Sequence, residues 1–389
     1  MNENSLRILF AAWSGKLRSD GGLESATQIF ENLRNSYRWH FSTTLETQFS
    51  ERWRDGGASV SIDPFNPRAN PLRKATQRHF WARNMQSLCQ NFRPDIIHCN
   101  DVFALRAAVR INSKFRPAIV FTVRNTNMFD PPINPIWEDQ LIEKIDYVTV
   151  LSSEMKATVE KTFVSQSLQV EEISSIVDLN RFCPVDEQRR RQIRKTLGIA
   201  ENSFAVGFVG SFQPRKNQLA FLKDCAPRLM SEVPEMHIHF VGDFNPDTQP
   251  YDKQCEMEAD AGLSERVTFH GPQSNVEEYY RAFDVVIVAS EAEGMARCMI
   301  ESLACGTPVV SFDVCSAREN LDVTGAGRVV EQGDFATMAN SIAALAHDHD
   351  TLREMSQAAR RRAESKFDQA KVKPQWERLF AEAASAGET

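Results

Sequence analysis

The chain has 389 residues, of which 42% are hydrophobic and 25% are charged. That length exceeds the size at which a single hydrophobic core stops growing, so it predicts two domains. The ordinary composition excludes a disordered or collagen-like protein. A formal net charge of -7 and a pI near 5.7 argue against a general nucleic-acid binder, because such a protein must neutralise phosphates.

No apolar run approaches the roughly 18 residues that a membrane-spanning helix needs, and the N-terminal segment lacks a signal-peptide pattern. The eight cysteines are scattered without Cys-x-x-Cys spacing. This spacing disfavours a disulfide framework or a zinc site and predicts a cytoplasmic protein with reduced thiols.

Short apolar runs rich in β-branched residues alternate with helical patterns along the chain. One helical pattern is Ala26, Ile29, Phe30 and Leu33, which share one face. Strands that alternate with helices indicate parallel sheets covered on both faces. The predicted strands are 7–12, 96–98, 118–123, 147–151, 205–209, 237–241, 285–289 and 308–312.

The alternation is interrupted by a polar and basic stretch from Pro184 to Lys195 and restarts at Ala205. Two doubly wound α/β domains therefore fit the pattern better than one large sheet. In such sheets ligands bind beyond the carboxyl ends of the strands, so the loops that follow the strands are the candidate sites.

The segment after the predicted strand 285–289 contains the most informative pattern. Gly294 permits a tight turn, and a helix follows that Gly306 can terminate. A helix N-terminus beyond a buried strand suits a phosphate or a sugar oxygen. Glu293 and Glu301 would lie roughly 12 Å apart if the whole stretch were helical. Considered alone, both would be interpreted as solvated helix charges, which is the commoner role of a glutamate.

The stretch from Glu293 to Glu301, with the small residues that follow it to Val310, resembles the E-x7-E signature of glycosyltransferase family 4. Other segments resemble the family in the same order along the chain. They are 20–24, 94–98, 177–184, 209–217, 269–271 and 282–290.

This resemblance implies the GT-B fold, in which two Rossmann-like domains face a central cleft. The expected domains are an acceptor-side domain at 1–184, a nucleotide-sugar donor domain at 185–366 and a segment at 367–389 that crosses back to the first domain. The implied activity is a metal-independent, retaining transfer of a hexosyl unit from a nucleoside-diphosphate sugar to a hydroxyl of a glycan or lipid-linked acceptor. No cofactor is expected besides the donor itself.

The resemblance also assigns residues. The catalytic group is Glu293, Lys216 and Arg215. The donor-binding group is Gly210, Ser211, Gly294, Met295, Ala296 and Glu301. The acceptor-side group is Gly21, Gly22, His98 and Arg124. A lysine suits a diphosphate loop because its ammonium can stabilise the charge of the leaving group.

Four positions depart from the family pattern. Ser211 stands where the family usually has Arg, and Arg215 is the expected substitute because a guanidinium binds phosphate. Arg124 stands where many relatives have His, Ala296 replaces a Gly, and Met295 replaces an aromatic residue. Two alternatives remain open: an epimerase or phosphorylase on the same fold, and a non-catalytic protein that binds nucleotide sugars.

A basic stretch lies between Asp63 and Asp95 and contains no acid. Its members are Arg68, Arg73, Lys74, Arg78, His79, Arg83 and Arg93. Phe80 and Trp81 lie among them and are expected to add apolar contact with a partner. The stretch predicts either a solvated helix face or a surface for an anionic acceptor or an anionic membrane. Asp348 to Asp350 spells the D-x-D pattern of metal-dependent transferases, but it follows no buried strand and is interpreted as a solvated turn. His237 and His239 are interpreted as core or surface residues.

Overall fold

The computed structural model describes residues 5–13, 21–66, 69–112, 116–125, 142–163, 168–243 and 250–386. The chain forms two compact units: Met1–Ile176 with Gln369–Thr389, and Val177–Asp368. The first unit therefore ends at Ile176 rather than at 184 and resumes at Gln369 rather than at 367. Val177 and Asp368 form an isolated parallel bridge, which places both residues in the second unit.

The first unit contains a seven-stranded parallel sheet with the order β3-β2-β1-β4-β5-β6-β7. Its strands are β1 Arg7–Ala11, β2 Arg38–Thr43, β3 Ser59–Ile62, β4 Ile96–Cys99, β5 Ala118–Thr122, β6 Tyr147–Val150 and β7 Gln169–Glu172. Its helices are α1 Gly21–Leu33, α2 Gln48–Asp55, α3 Pro71–Phe92, α4 Val102–Ala108, α5 Ser153–Thr162 and, from the end of the chain, α14 Gln369–Ala386.

Most of these helices are capped at their N-terminus by a side-chain oxygen. The side chains of Asn70, Asp101 and Ser152 accept hydrogen bonds from first-turn N–H groups of α3, α4 and α5. Each cap satisfies a backbone donor that the helix itself cannot satisfy. The core of this unit combines side chains from both ends of the chain, since Trp376 and Phe380 of α14 pack with residues of β1 and β2.

The second unit contains a six-stranded parallel sheet with the order β10-β9-β8-β11-β12-β13. Its strands are β8 Phe204–Val209, β9 Met236–Val241, β10 Val267–Phe269, β11 Val285–Val288, β12 Val309–Phe312 and β13 Gly327–Val330. Both sheets agree with the prediction of two doubly wound α/β domains.

Helices cover this second sheet. They are α6 Glu187–Leu197, α7 (Gln218–Ala220, a π turn Phe221–Cys225 and Ala226–Glu232), α8 Tyr251–Asp260, α9 Val276–Ala282, α10 Arg297–Ala304, α11 Ala317–Asn320, α12 Phe335–His347 and α13 His349–Lys366. None of the described helices of either unit is both long enough and apolar enough to span a bilayer.

The basic stretch from Pro184 to Lys195 is largely helical, because Asp186 caps α6 and Gly198 ends it with a φ of 72°. Arg194 attaches α6 to the sheet. Its side chain is 4% exposed, and it lies 2.6 Å from the carboxylate of Asp284, which also accepts the backbone N–H of Ala205. Removing either partner would leave an unpaired charge in the interior, which strongly destabilises the fold. The pair therefore fixes α6 at the amino end of β8.

Candidate active site

Three glycines follow neighbouring strands at the carboxyl edge of the second sheet. Gly210 follows β8 and donates its N–H to Val241, and Gly242 follows β9 and donates to the carbonyl of Gly271. A Cβ on Gly242 would lie 2.0 Å from the carbonyl oxygen of Gly210. Only glycine allows the two backbones to approach this closely.

The segment after Gly210 presents two cations at this edge. Pro214–Lys216 form a single 3₁₀ turn, and Asn217 ends it in the left-handed conformation with a φ of 60°. The side-chain amide of Asn217 donates to the carbonyl of Ala289, at the end of β11. The turn is therefore fastened to the neighbouring strand, with Arg215 and Lys216 on it.

Both cations converge on Glu293. The ammonium of Lys216 lies 2.9 Å from the Glu293 carboxylate, and a guanidinium nitrogen of Arg215 lies 3.1 Å from it. Ser290 donates its hydroxyl to the same oxygen at 2.9 Å. Residues that are 77 positions apart in sequence thus form one cluster because β8 and β11 are adjacent.

The environment of Glu293 keeps its carboxylate charged. Burial alone would raise the pKa of Glu293, but the charges of Lys216 and Arg215 and the hydrogen bonds from Lys216 and Ser290 lower it. Two cations face one carboxylate, so the cluster can stabilise additional negative charge. The Lys216 side chain is 13% exposed and that of Arg215 is 41% exposed, so Arg215 is the more accessible of the two.

The second glutamate of the pattern lies on α10. Glu301 accepts from Nε of Arg297 at 2.9 Å on one oxygen and from the hydroxyl of the buried Tyr280 at 3.2 Å on the other. The helix begins only at Arg297, so the separation of roughly 12 Å expected for a fully helical stretch rests on a wrong assumption. Arg297 and Tyr280 were not identified from the sequence, although the i, i+4 spacing of Arg297 and Glu301 indicates a pair.

In the first unit, three of the four candidate acceptor-side residues, Gly21, Gly22 and Arg124, come after the carboxyl ends of strands. Gly21 and Gly22 begin α1 after β1, and Asp20, which precedes them, lies outside the described residues. Nε of Arg124, which follows β5, donates to the side chain of Asn100, which follows β4, at 2.8 Å.

His98 does not belong to this edge. Its side chain is fully buried, its Nε2 lies 2.7 Å from the hydroxyl of Thr122, and its ring packs against Phe10 and Trp376. Burial, followed by the charge of Arg124, lowers the pKa of His98 to about 3. The expectation that His98 contacts an acceptor is therefore corrected: it is a neutral core residue.

The sequence of the chain matches the models of two known families. Residues 43–181 match the family described as Glycosyltransferase Family 4, and residues 203–348 match the one described as Glycosyl transferases group 1. The chain belongs to glycosyltransferase family 4.

This family 4 chain is similar to proteins named D-inositol 3-phosphate glycosyltransferase. It is 30% identical over 231 residues to the one from Nocardia farcinica, covering 58% of this chain and 50% of the relative. It is 25% identical over 283 residues to the one from Kribbella flavida, covering 68% of this chain and 66% of the relative. The matches thus span between about half and two thirds of the length of these relatives.

Two solved structures share the fold. Anabaena HepE, solved in complex with UDP, has a TM-score of 0.82 and 20% identity, covering 97% of this chain and 100% of HepE. Sucrose-phosphate synthase from Thermosynechococcus elongatus has a TM-score of 0.80 and 19% identity, covering 98% of this chain and 100% of that protein. The predicted GT-B class is confirmed.

Two of the four departures of this family 4 chain from the family pattern, at Ser211 and Ala296, have local explanations. Ser211 accepts from the side chain of Gln213, and Arg215 supplies a guanidinium to the cluster. Ala296 has a φ of -65°, which any residue adopts, so glycine is not needed there. Met295 is buried, and Gly294 lies beside it.

The basic stretch of this family 4 chain forms α3, apart from Arg68, which lies outside the described residues, and Arg93, which ends the helix. Phe80 is 55% exposed, as expected for a surface contact. Trp81 is not: it is 2% exposed and donates its indole N–H to Ser42. The expectation that both aromatic residues face a partner is therefore corrected for Trp81.

The D-x-D pattern begins a helix rather than forming a turn. Asp348 caps α13 by accepting from Thr351, and Asp350 pairs with Arg353 on the surface. His239 is buried and contacts His270 at 3.0 Å, which agrees with the interpretation of a core histidine. Within the part of the chain that the structure describes, no three His, Cys, Asp or Glu side chains converge as metal ligands.

Proposed function

We propose that this chain transfers a hexosyl unit from a nucleoside-diphosphate sugar to a hydroxyl of an acceptor, with retention of the anomeric configuration and without a required metal. The observation that carries the proposal is the cluster of Lys216, Arg215 and Glu293 at the carboxyl edge of the second sheet. Ligands of doubly wound sheets bind at this edge.

The cluster has the charges that such a transfer needs. When the bond between the anomeric carbon and the diphosphate breaks, negative charge grows on the diphosphate, the acceptor oxygen bonds to that carbon, and the proton of the acceptor hydroxyl passes to the leaving diphosphate. Lys216 and Arg215 are positioned to stabilise this charge, since preorganised cations act without reorganisation during the reaction. Glu293 would then lie near the transferred sugar, and Glu301, held by Tyr280 and Arg297, would bind the ribose hydroxyls.

The comparisons suggest which substrates to test first. HepE has been solved with UDP-glucose, and the curated relatives are named for D-inositol 3-phosphate. We therefore propose UDP-glucose among the first donors, and an inositol phosphate, a glycan or a lipid-linked glycan as the acceptor. A thermal-shift screen with UDP-, GDP-, ADP- and TDP-sugars identifies the nucleobase of the donor, because a ligand that binds the folded state raises the apparent stability of the protein.

The test is acceptor-dependent release of nucleoside diphosphate, with the glycoside product identified by mass spectrometry. Glu293→Gln should lower the turnover at least about 100-fold, since removal of one preorganised group costs this much in comparable sites. Glu291→Gln is the matched control, because Glu291 is exposed and lies two positions away in the same loop. Turnover should persist in EDTA.

Other outcomes identify the alternatives. Conversion of the donor without any acceptor would support an epimerase, and a dependence on inorganic phosphate would support a phosphorylase. Donor binding without transfer or slow hydrolysis would support a non-catalytic binding protein. Equal turnover of the Glu293→Gln and Glu291→Gln variants would remove Glu293 from the catalytic group.

A further inference from the structure

The cations of α3 lie on two different sides of the helix. Lys74 and Arg78 are four residues apart, and Arg78 is three and seven residues before the buried Trp81 and Met85. This spacing places Lys74 and Arg78 on the side of α3 that meets the rest of the unit. Arg78 and Arg83 are both exposed, but a separation of five helical positions turns them roughly 140° apart around the helix axis, so the basic stretch is not a single surface.

Arg78 is held by aromatic rings rather than by carboxylates. Its guanidinium carbon lies 4.3 Å from the ring centre of Phe103 and 5.9 Å from that of Trp13. Stacking fixes the plane of a guanidinium while leaving its N–H groups directed outward at the rim. Among the described residues no acceptor pairs with Arg78, whereas Arg52 in the same unit pairs with Glu24 and Glu31.

The rings beneath Arg78 lie at the carboxyl edge of the first sheet. Trp13 follows β1, and Phe103 lies in the first turn of α4, which follows β4; the two strands are neighbours. Asp101 accepts the backbone N–H of Trp13. The Trp13 ring packs edge-on against the rings of Phe65 and Trp81, whose centres are 4.5 and 5.3 Å away. These contacts hold the indole in place beneath Arg78.

Trp13 offers a second donor at this place. It is half-buried, and its indole N–H has no acceptor among the described residues. The edge therefore combines a stacked guanidinium, an indole N–H and aromatic surface. These groups suit a sugar or polyol that carries a phosphate. The guanidinium binds the phosphate through two parallel hydrogen bonds, and the aromatic side chains contact the apolar face of the sugar or polyol ring.

We infer that Arg78 and Trp13 form a subsite for a phosphate group on the acceptor. The assignment of this subsite to the acceptor rests on the proposed function, whereas the binding of a phosphorylated polyol does not. The phosphate can belong to a free sugar phosphate or to the headgroup of a lipid, since both present the same oxygens to Arg78.

The probes are myo-inositol 1-phosphate and, as the neutral control, myo-inositol. All six tryptophans belong to the first unit, so tryptophan fluorescence reports on this unit, including Trp13. The titration is made at constant ionic strength with saturating UDP, which binds at the loop 210–217 of the second unit if the proposed function holds. It is repeated without UDP, so that failure of UDP to bind is distinguished from failure of the subsite.

We expect saturable binding of the phosphate and none of the neutral polyol. Arg78→Met keeps the contact with the rings and should weaken binding at least about 10-fold, because a charge-assisted hydrogen bond is lost. Arg78→Lys keeps the charge but not the two-pronged geometry and should give an intermediate loss. Arg83→Met, on a different side of the same helix, should change the affinity less than about 2-fold, as surface charges contribute little.

A second arm finds the source of the phosphate, using phosphatidylcholine vesicles with and without phosphatidylinositol. Binding to the phosphatidylinositol vesicles that Arg78→Met abolishes and Arg83→Met preserves would place the phosphate on a lipid. The inference is overturned if Arg78→Met binds inositol phosphate as well as the wild type, or if neither probe binds. It is also overturned if Arg83→Met weakens vesicle binding as much as Arg78→Met, because the attraction is then a diffuse one.

Discussion

Substituting Gly242 by alanine should disrupt the loop 210–217 without changing its two charged residues, Arg215 and Lys216. The new Cβ would lie 2.0 Å from the carbonyl oxygen of Gly210, about 1 Å closer than real Cβ contacts come. Because that oxygen belongs to the backbone, the strand ends at Gly210 and Gly242 must separate. The turn that bears Lys216 begins at Pro214, four positions after Gly210, and should move with it.

Gly262 provides a matched control for the backbone strain. Its φ of 155° nearly equals the 157° of Gly242, but a Cβ there would meet nothing within 4 Å. Gly262→Ala should therefore cost only the strain of an unfavourable φ, about 1 to 3 kcal/mol of unfolding free energy. Gly242→Ala should cost that amount and a further 1 to 3 kcal/mol or so from overpacking.

The stability of both variants is measured by urea unfolding with far-ultraviolet circular dichroism, and nucleotide binding by the thermal shift that UDP or the identified nucleotide produces. Tryptophan fluorescence, which reports on the first unit, should show little change in either variant. If both variants lose equal stability and keep equal nucleotide affinity, the close approach of the two glycines does not shape the loop.

Three further predictions follow from side-chain contacts. Lys216→Met should weaken nucleoside diphosphate binding about 10-fold or more and Arg215→Met less, since Arg215 is more exposed; equal, unchanged affinities by calorimetry would contradict this. Tyr280→Phe removes a donor to Glu301 and should reduce the preference for UDP over 2′-deoxy-UDP in direct binding; an unchanged ratio would separate Glu301 from the ribose. His98, with a pKa near 3 when folded and about 6.5 when unfolded, takes up its proton only on unfolding. Its contribution is thus full above pH 6.5 and falls by about 2 kcal/mol at pH 5, so His98→Gln should flatten this pH dependence in urea titrations followed by tryptophan fluorescence.

The apolar runs of the sequence identified the interior strands of both sheets, with the exception of β2. The other strands they missed are β3, β7, β10 and β13, which lie at the edges of the sheets. An edge strand is partly solvated, so its sequence needs fewer apolar residues: β7 reads Gln-Val-Glu-Glu. In β2, polar residues interrupt Trp39 and Phe41, which obscures the run.

The candidate site was accessible to sequence reasoning only in part. The identities of Glu293 and Lys216 came from the family resemblance, but their contact depends on the adjacency of β8 and β11, which no local pattern encodes. The error at Trp81 was avoidable, since its spacing from Met85 and Cys89 gives a buried stripe at i, i+4 and i+8. His98 was misassigned because a strand that is buried on both faces has no exposed side for its polar residues.

The position of α14 has a consequence for biosynthesis. Trp376 and Phe380 complete the core of the first unit, yet the ribosome makes them only after the whole of Val177–Asp368. At about 5 to 20 residues per second, that interval lasts roughly 10 to 40 s. During this interval the apolar surface that α14 will cover stays exposed on the nascent first unit. The second unit, whose residues are contiguous in sequence, can already fold. The second unit should therefore complete its folding before the first, which is the reverse of the order of synthesis. The uncovered apolar surface of the first unit is where a ribosome-associated chaperone would act.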